Sequence, residues 1–344
     1  MRVLVFRTGS LFAHDETGLY ANRLCSAISA LGHPVELAMI PFSGSVADLV
    51  PEITAYRLLD LRHGGDRCIV LGPFAHALAH SDRRVWAFAQ YDPFNGLWGT
   101  DFGAVTASHT NAILRNYVHA LDRAWLAKAR QVRAASQMLS NALSAVIGQQ
   151  VRLLRPAIVE ELVPTRSDPS ACFLLATRLS DRSRLAMVIA ALEDMTTPAR
   201  LLILGCEESL EEREFVEQRI AASPKRAAIQ LEINPAATRF REAAGSAAAL
   251  IVSAFRCGMA DAYMLGAASA AVPVITTTDA GEPALLVEDG VSGYVVEPQP
   301  AALAQVMSQV LRDPPSAERR ARAMAARLAK LLPGWDSIAS ELTR

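Results

Sequence analysis

Short apolar runs alternate with helical segments along nearly the whole of this 344-residue chain, and few folds can accommodate that rhythm. "RVLVF" at 2–6 has the β-branched, continuously apolar character of a buried parallel strand. The loop "RTGSLFAHDETG" follows, and then "LYANRLCSAISALGH", whose apolar residues recur at helical spacing. Gly32 stops that helix, and "PVELAMI" is the next strand. Strand, glycine-bearing loop, helix and strand make the βαβ unit of a doubly wound sheet. "CIVLG" at 68–72 and "RRVWAFAQ" at 83–90 read as further strands of the same sheet. A helical region over 107–130 and the strand-to-helix passage "RQVRAASQMLSNALSAVIG" complete the first series.

The pattern weakens at "VEELVPTRSDPSACF", where Pro164, Ser167, Asp168, Pro169 and Ser170 crowd together, and this stretch reads as a linker. A second series then begins with the strand "FLLATRL" and a helix over 183–193. It continues with "RLLILG", helix 208–222, "AIQLEIN", helix 236–245, "ALIVSAF", helix 260–270 and "VPVITT". Two βα arrays joined by one linker predict two Rossmann-like domains, 1–164 and 170–332. Ligands of such sheets bind outside the carboxyl ends of the strands, so a cleft between the domains is the expected site.

Composition removes several classes of function. A net charge of −1 and a pI near 6.7 disfavour a general binder of nucleic acid or acidic membrane. Cys25, Cys68, Cys172, Cys206 and Cys257 contain no Cys-x-x-Cys pair, which fits reduced thiols rather than a disulfide frame or a zinc site. "MRVLVFRTGS" is too short an apolar run for a signal peptide core or a membrane span, and a cytoplasmic location is expected.

The most distinctive stretch is "AVPVITTTDAGEPALLVEDGVSGYVVEPQPAALAQVM" at 271–307: a strand, a loop holding Gly281, a Val-x-Asp-Gly-x-x-Gly turn, and a helix opened by proline. "ATRLSDRSRLAMVIAAL" at 176–192 places an arginine at a strand end before a helix, and "LPGWDSIASELTR" closes the chain around a tryptophan. On these residues the chain resembles the GT-B glycosyltransferases, specifically the retaining family 4 type. "TGLYANRLCSAISALGHPVEL" and "QYDPFNGLWGTDFG" are similar to segments of the family's first domain. The resemblance implies an α/β GT-B fold, two Rossmann-like domains facing each other across a cleft. The acceptor-side domain would be 1–164 completed by a helix at 333–344, and the donor-side domain 170–332. It also implies sugar transfer from a nucleotide-diphosphate sugar, used as substrate, with no cofactor and no metal. The implied acceptor is a glycan, glycolipid or small metabolite, as in polysaccharide biosynthesis. Peripheral membrane contact or a partner transferase is left open, and no nucleic acid is expected.

The same resemblance exposes what is missing. Counted back from Pro273 without gaps, the family's two donor-site glutamates fall on Gly258 and Gly266. Its phosphate-facing arginine matches Arg178, while the partnering lysine falls on Ser183, between Arg182 and Arg184. Glu282 stands where the family has the second glycine of the loop, and Leu285 where it often has an acid. Only Asp261 and Glu282 lie near enough to return a carboxylate. The donor and phosphate candidates are therefore Arg178, Arg182, Arg184, Gly258, Asp279, Gly281 and Glu282, with His14 and Gly18 on the acceptor-side loop.

Each candidate has a plainer reading. An arginine at a strand end can be a surface ion pair, usually worth under about 1 kcal/mol. Arg182 and Arg184 read individually as solvated charges at a helix entry. Gly18 can be an ordinary strand–helix turn, and Asp15 beside His14 a cap. Trp86, Tyr91, Phe94 and Trp98 read as packing before they read as an acceptor floor. No catalytic residue is identified, no Asp-x-Asp is present, and the histidines have no metal-ligand spacing. Two readings follow: a transferase with an altered donor site, and a non-catalytic GT-B protein that binds a partner transferase or a sugar.

Overall fold

In the computed structural model, residues 1–9, 16–59, 61, 64–103, 105–207 and 209–344 are described. Two units emerge: Met1–Ala157 with Pro333–Arg344 form unit 1, and Ile158–Leu332 form unit 2.

Unit 1 runs β1 (Val3–Gly9), α1 (Glu16–Ala30), β2 (Val35–Pro41), α2 (Leu49–Leu58), β3 (Arg67–Leu71) and β4 (Arg83–Ala87). It continues with α3 (His109–Leu126), β5 (Gln131–Ala134), α4 (Gln137–Ile147) and β6 (Arg152–Leu153). The six strands form one parallel sheet in the order β2-β1-β3-β4-β5-β6. Every residue of β3 and β4 is buried, because helices cover both faces of a parallel sheet; hence the apolar stretches Cys68–Leu71 and Val85–Ala87 that follow their leading arginines. The arginines within them are held by partners. Arg67 and Arg84 share the Asp82 carboxylate, and Arg83 donates to the carbonyls of Leu78 and Trp125. Ser108 and Ser136 cap α3 and α4, and Gly148 ends α4 at φ 78°.

Unit 2 runs β7 (Cys172–Arg178), α5 (Leu185–Asp194), β8 (Arg200–Cys206), α6 (Leu210–Ala221), β9 (Ile229–Ile233), α7 (Ala237–Ser246) and β10 (Ala249–Val252). Then come α8 (Ala262–Ser269), β11 (Val274–Thr277), α9 (Glu282–Leu286), β12 (Tyr294–Val296), α10 (Pro300–Arg312) and α11 (Pro314–Leu331). Its parallel sheet is ordered β12-β11-β10-β7-β8-β9. Phe173, Ile203, Ile251 and Ile275 of the sheet join Val188 and Ile189 of α5 in one apolar core.

The final helix, α12 (Trp335–Thr343), belongs to unit 1. Trp335 lies 6.3 Å from the Tyr20 ring and 6.4 Å from that of Trp86, while Ile338, Ala339 and Leu342 are fully buried. Gln131 and Arg133 of β5 donate to the Glu341 carboxylate.

Three features differ from the sequence reading. The stretch read as a linker is a strap on unit 2. Glu160–Leu162 form a 3-10 turn with Leu162 buried, and Arg166 donates to the carbonyls of Ala244, Gly245 and Ala247 at the end of α7. Prolines and serines there make the backbone irregular without freeing it. The strand read as 83–90 ends at Ala87. Helices α2 and α11 were not anticipated.

Candidate functional site

The carboxyl ends of β7, β10 and β11 lie side by side, since β10 pairs with both of the others. Arg178 is the last residue of β7 and is exposed there. Its carbonyl accepts from the Ser183 hydroxyl at 2.6 Å, which Thr177 and Ser180 also approach at 2.9 and 3.2 Å. Ser183 is buried, and its own carbonyl accepts from Ser253 at 2.8 Å. The position where the family carries a lysine is thus a hydroxyl junction joining the turn after β7 to the loop after β10.

Neither neighbouring arginine is a solvated helix-entry charge. Arg182 donates from Nε to the Phe255 carbonyl at 2.7 Å and from Nη2 to that of Arg256 at 2.6 Å. Arg184 opens α5 with φ 55° and makes a two-pronged ion pair with Asp279, at 2.7 and 2.5 Å. Its guanidinium also stands 5.1 Å from the centre of the Phe255 ring. The Arg184 guanidinium holds the Asp279 carboxyl below the usual carboxylate range. Both side chains bind the loops at 253–258 and 278–281 to the start of α5, which leaves Arg178 as the exposed member of the three.

Those two loops run alongside each other. Arg256 N–H donates to the Asp279 carbonyl, Cys257 N–H to that of Ala280, and Glu282 N–H to that of Cys257, at 2.8–2.9 Å. Gly281 has φ 84° and ψ −127°, a conformation open essentially to glycine alone, and it lets the chain turn into α9. Gly258 therefore sits one residue from the contact with Glu282. Glu282 is 1% exposed, so its carboxylate is enclosed rather than displayed on the loop.

Gly266 has a clear structural purpose. It lies within α8, buried, and a Cβ built on it would stand 2.7 Å from the carbonyl oxygen of Leu162 in the 160–162 turn. This face of α8 is in contact with protein backbone. Asp261 caps α8, accepting from Met264 N–H at 2.5 Å. Burial pushes its carboxyl up to about 6, so the folded protein favours the protonated acid. The stability this contributes is complete below the carboxyl's ordinary 3.8 and is lost as pH rises through about 6. Asp261→Asn keeps a capping acceptor and is expected to flatten the fall in stability between about pH 4 and 6 relative to the parent. Urea midpoints across that range check it; parallel curves for the two proteins would contradict it.

In unit 1, Gly18 is buried in the first turn of α1, and His14 lies outside the described residues. Trp86, Tyr91 and Phe94 are buried, with Trp86 Nε1 on the Leu154 carbonyl and the Tyr91 hydroxyl on that of Gly44. They serve packing. Among the described residues, no three His, Cys, Asp or Glu side chains could hold a metal ion together, and no helix is long and apolar enough to cross a membrane.

The arrangement matches known structures over its full length. A sucrose-phosphate synthase from Thermosynechococcus elongatus superposes with a TM-score of 0.79 at 14% identity, over 99% of this chain and 98% of that one. The Anabaena protein Alr3699/HepE, solved in complex with UDP-glucose, gives 0.71 at 13% identity, over 99% and 98%. The fold is GT-B. The lipopolysaccharide outer core galactosyltransferase WaaB, in its apo form, gives 0.60 at 12% identity over 98% of each chain. Residues 171–313, within unit 2, match the family model described as "Glycosyl transferases group 1". No curated protein matches the chain in sequence. The GT-B sheet edge built by β7, β10 and β11 is where the candidate residues of unit 2 converge.

Proposed function

We propose that this GT-B protein is a glycosyltransferase whose unit 2 takes a nucleotide-diphosphate sugar at the carboxyl edge of its sheet. The sugar would pass to a glycan, glycolipid or small-molecule acceptor, with retention and without a metal. The observation that carries this reading is the coincidence of the group 1 match with an arginine-rich strand edge. Binding of UDP-glucose by the similarly folded HepE is consistent with it. As the sugar bond breaks, negative charge develops on the departing diphosphate. Guanidinium groups and the N–H groups opening α5 are suited to stabilise that charge.

A second reading, a non-catalytic protein that binds a sugar ligand or a partner transferase, is favoured by Gly258 and Gly266. Neither carries a carboxylate, and Gly266 faces Leu162. A neutral hydrogen bond to a sugar hydroxyl contributes only about 0.5–1.5 kcal/mol, so donor binding survives its loss. Loss of a group that stabilises the transition state costs about 3–4 kcal/mol, a hundred- to thousandfold in rate.

Thermal shift with UDP-, GDP-, ADP-, CDP- and TDP-sugars separates the outcomes, because a ligand that binds only the folded protein raises its melting temperature. At least one donor is expected to stabilise the protein, with hydrolysis well below an ordinary rate of about 1 per second. Stabilisation by none at millimolar concentration would remove the nucleotide-sugar reading. Turnover at or above that rate by the purified protein alone would remove the non-catalytic one.

A further inference from the structure

We propose that a recess between β6 and α12 in unit 1 binds a phosphoryl dianion, free or carried by a small ester, with Arg152 and Arg344 as its charged grips.

The recess encloses about 480 Å³ and is built from unit 1 alone. Small-molecule sites span about 300–1,000 Å³, so it has room for a ligand of that class. Its sheet side carries a pair of arginines. Arg133 of β5 and Arg152 of β6 are partners in the parallel register, so their side chains leave the same face of the sheet. There Arg133 meets α12 through the Glu341 carboxylate, whose Oε1 accepts from Arg133 Nε at 2.9 Å and from Gln131 at 3.1 Å. Glu341 thus answers Arg133. Arg152, one strand further out, is exposed, and among the described residues its side chain makes no hydrogen bond or ion pair.

The helix side is polar by spacing. Ser337, Ser340, Glu341 and Arg344 recur at i, i+3, i+4 and i+7 and share one flank of α12, while Ile338, Ala339 and Leu342 are buried in the sheet packing. Among the described residues, the hydroxyls of Ser337 and Ser340 and the guanidinium of Arg344 have no protein partner. Asp336 stands in the first turn of α12, where a carboxylate complements the helix dipole. The lining therefore holds three guanidinium groups against two carboxylates, with Arg133 and Glu341 satisfied by each other. Two unengaged guanidinium groups and two hydroxyl donors around one hollow make a donor set for phosphoryl oxygens, which guanidinium bonds in pairs. Asp336 in the same lining disfavours a polyanion and suits a small dianion, with its own oxygens open to hydroxyls of an ester. A ligand held there joins β6, the outermost strand of the sheet, to the final helix and stabilises the helix in its docked place.

Calorimetric titration with inorganic phosphate, glycerol phosphate and glycerol tests this on the parent, Arg152→Gln, Arg152→Lys and Arg344→Gln. Arg178→Gln and the exposed Arg241→Gln, both in unit 2, serve as controls. Phosphate is expected to bind the parent at millimolar concentration or below and to raise its melting temperature. Arg152→Gln and Arg344→Gln should each weaken that binding by about ten- to a hundredfold and remove the melting shift. Arg152→Lys should retain part of the affinity, because a compact charge replaces the planar fork. Both unit 2 controls should keep the Arg152-dependent binding. Equal affinity for phosphate and glycerol phosphate would identify the dianion alone as the ligand, and tighter binding of the ester an organic phosphate whose hydroxyls reach Asp336. Glycerol binding as tightly as its phosphate, or no binding of either phosphate at millimolar concentration, overturns the proposal. So does phosphate that is lost in Arg178→Gln and kept in Arg152→Gln, since that ion sits in unit 2. Thermal unfolding of each variant without ligand accompanies the titrations, and Arg344→Gln supplies the measurement if Arg152→Gln does not fold.

Discussion

Glutamate placed at position 266 is expected to destabilise unit 2 strongly rather than return a carboxylate to the donor edge. A Cβ there would stand 2.7 Å from the Leu162 carbonyl oxygen and 2.9 Å from its carbon, and both atoms belong to backbone that cannot rotate aside. Overpacking of a tight core costs about 1–3 kcal/mol and sometimes more, and enclosing an unpaired charge adds several kcal/mol. Even Gly266→Ala should destabilise. Alanine inside a helix normally gains about 1 kcal/mol over glycine, and the clash reverses that sign. Gly266→Glu should lower the melting temperature by about 10 °C or more, at roughly 2–4 °C per kcal/mol for a unit of this size. Melting at the parent's temperature, or a gain in sugar transfer, would show that α8 presents this face to a ligand after all.

The second large effect is expected from Arg184→Ala. Its guanidinium is 11% exposed and Asp279 31%, so the pair is only partly screened by water. Removing the arginine strands the Asp279 carboxylate beside Thr277 and deprives Phe255 of one of its two cations. Breaking a hydrogen-bonded ion pair of this burial is expected to cost about 2–3 kcal/mol. Arg184→Ala should also raise the Asp279 pKa from its depressed value. The pair contributes stability above the carboxyl's ordinary 3.8, and that contribution is lost as pH falls through the depressed value. The gap between parent and variant should therefore be widest near neutral pH and close in acid. Chemical denaturation at several pH values measures it, and a pH-independent gap would mean that packing, not charge, holds the two loops.

The alternation of strands and helices was legible because a parallel strand covered on both faces reads as an unbroken apolar run, as in "CIVLG" and "RLLILG". Helix α2 was missed because Pro51 lies inside it, although proline is tolerated in a first turn. Helix α11 was missed because its arginines and alanines suggest a solvated face. Asp313 followed by two prolines was the signal that could have found it. At the site, an arginine at the end of β7 was visible in "FLLATRL". The purposes of Arg182 and Arg184 were not, because their partners lie 73 to 95 residues away and exist only once the sheet has formed. Gly266 illustrates the same limit. A missing side chain in a helix can mean a lost ligand contact or a close approach of backbone, and only the position of Leu162 decides.

The return of α12 to unit 1 also bears on how the protein is made. Unit 2 is one uninterrupted stretch, whereas unit 1 needs residues from both ends of the chain. During synthesis, every residue of unit 2 has emerged before Trp335 can reach Tyr20 and Trp86. For unit 1, residues 158–332 are an insert of about 175 residues whose ends must meet, a closure costing roughly 4–5 kcal/mol if the insert were still a random coil. An insert that has already folded has given up that freedom, so docking of α12 becomes a late, low-entropy step. Stalled or truncated chains ending before residue 333 should therefore expose the aromatic seat of Trp335 and depend on a folded unit 2 to hold the two ends ready.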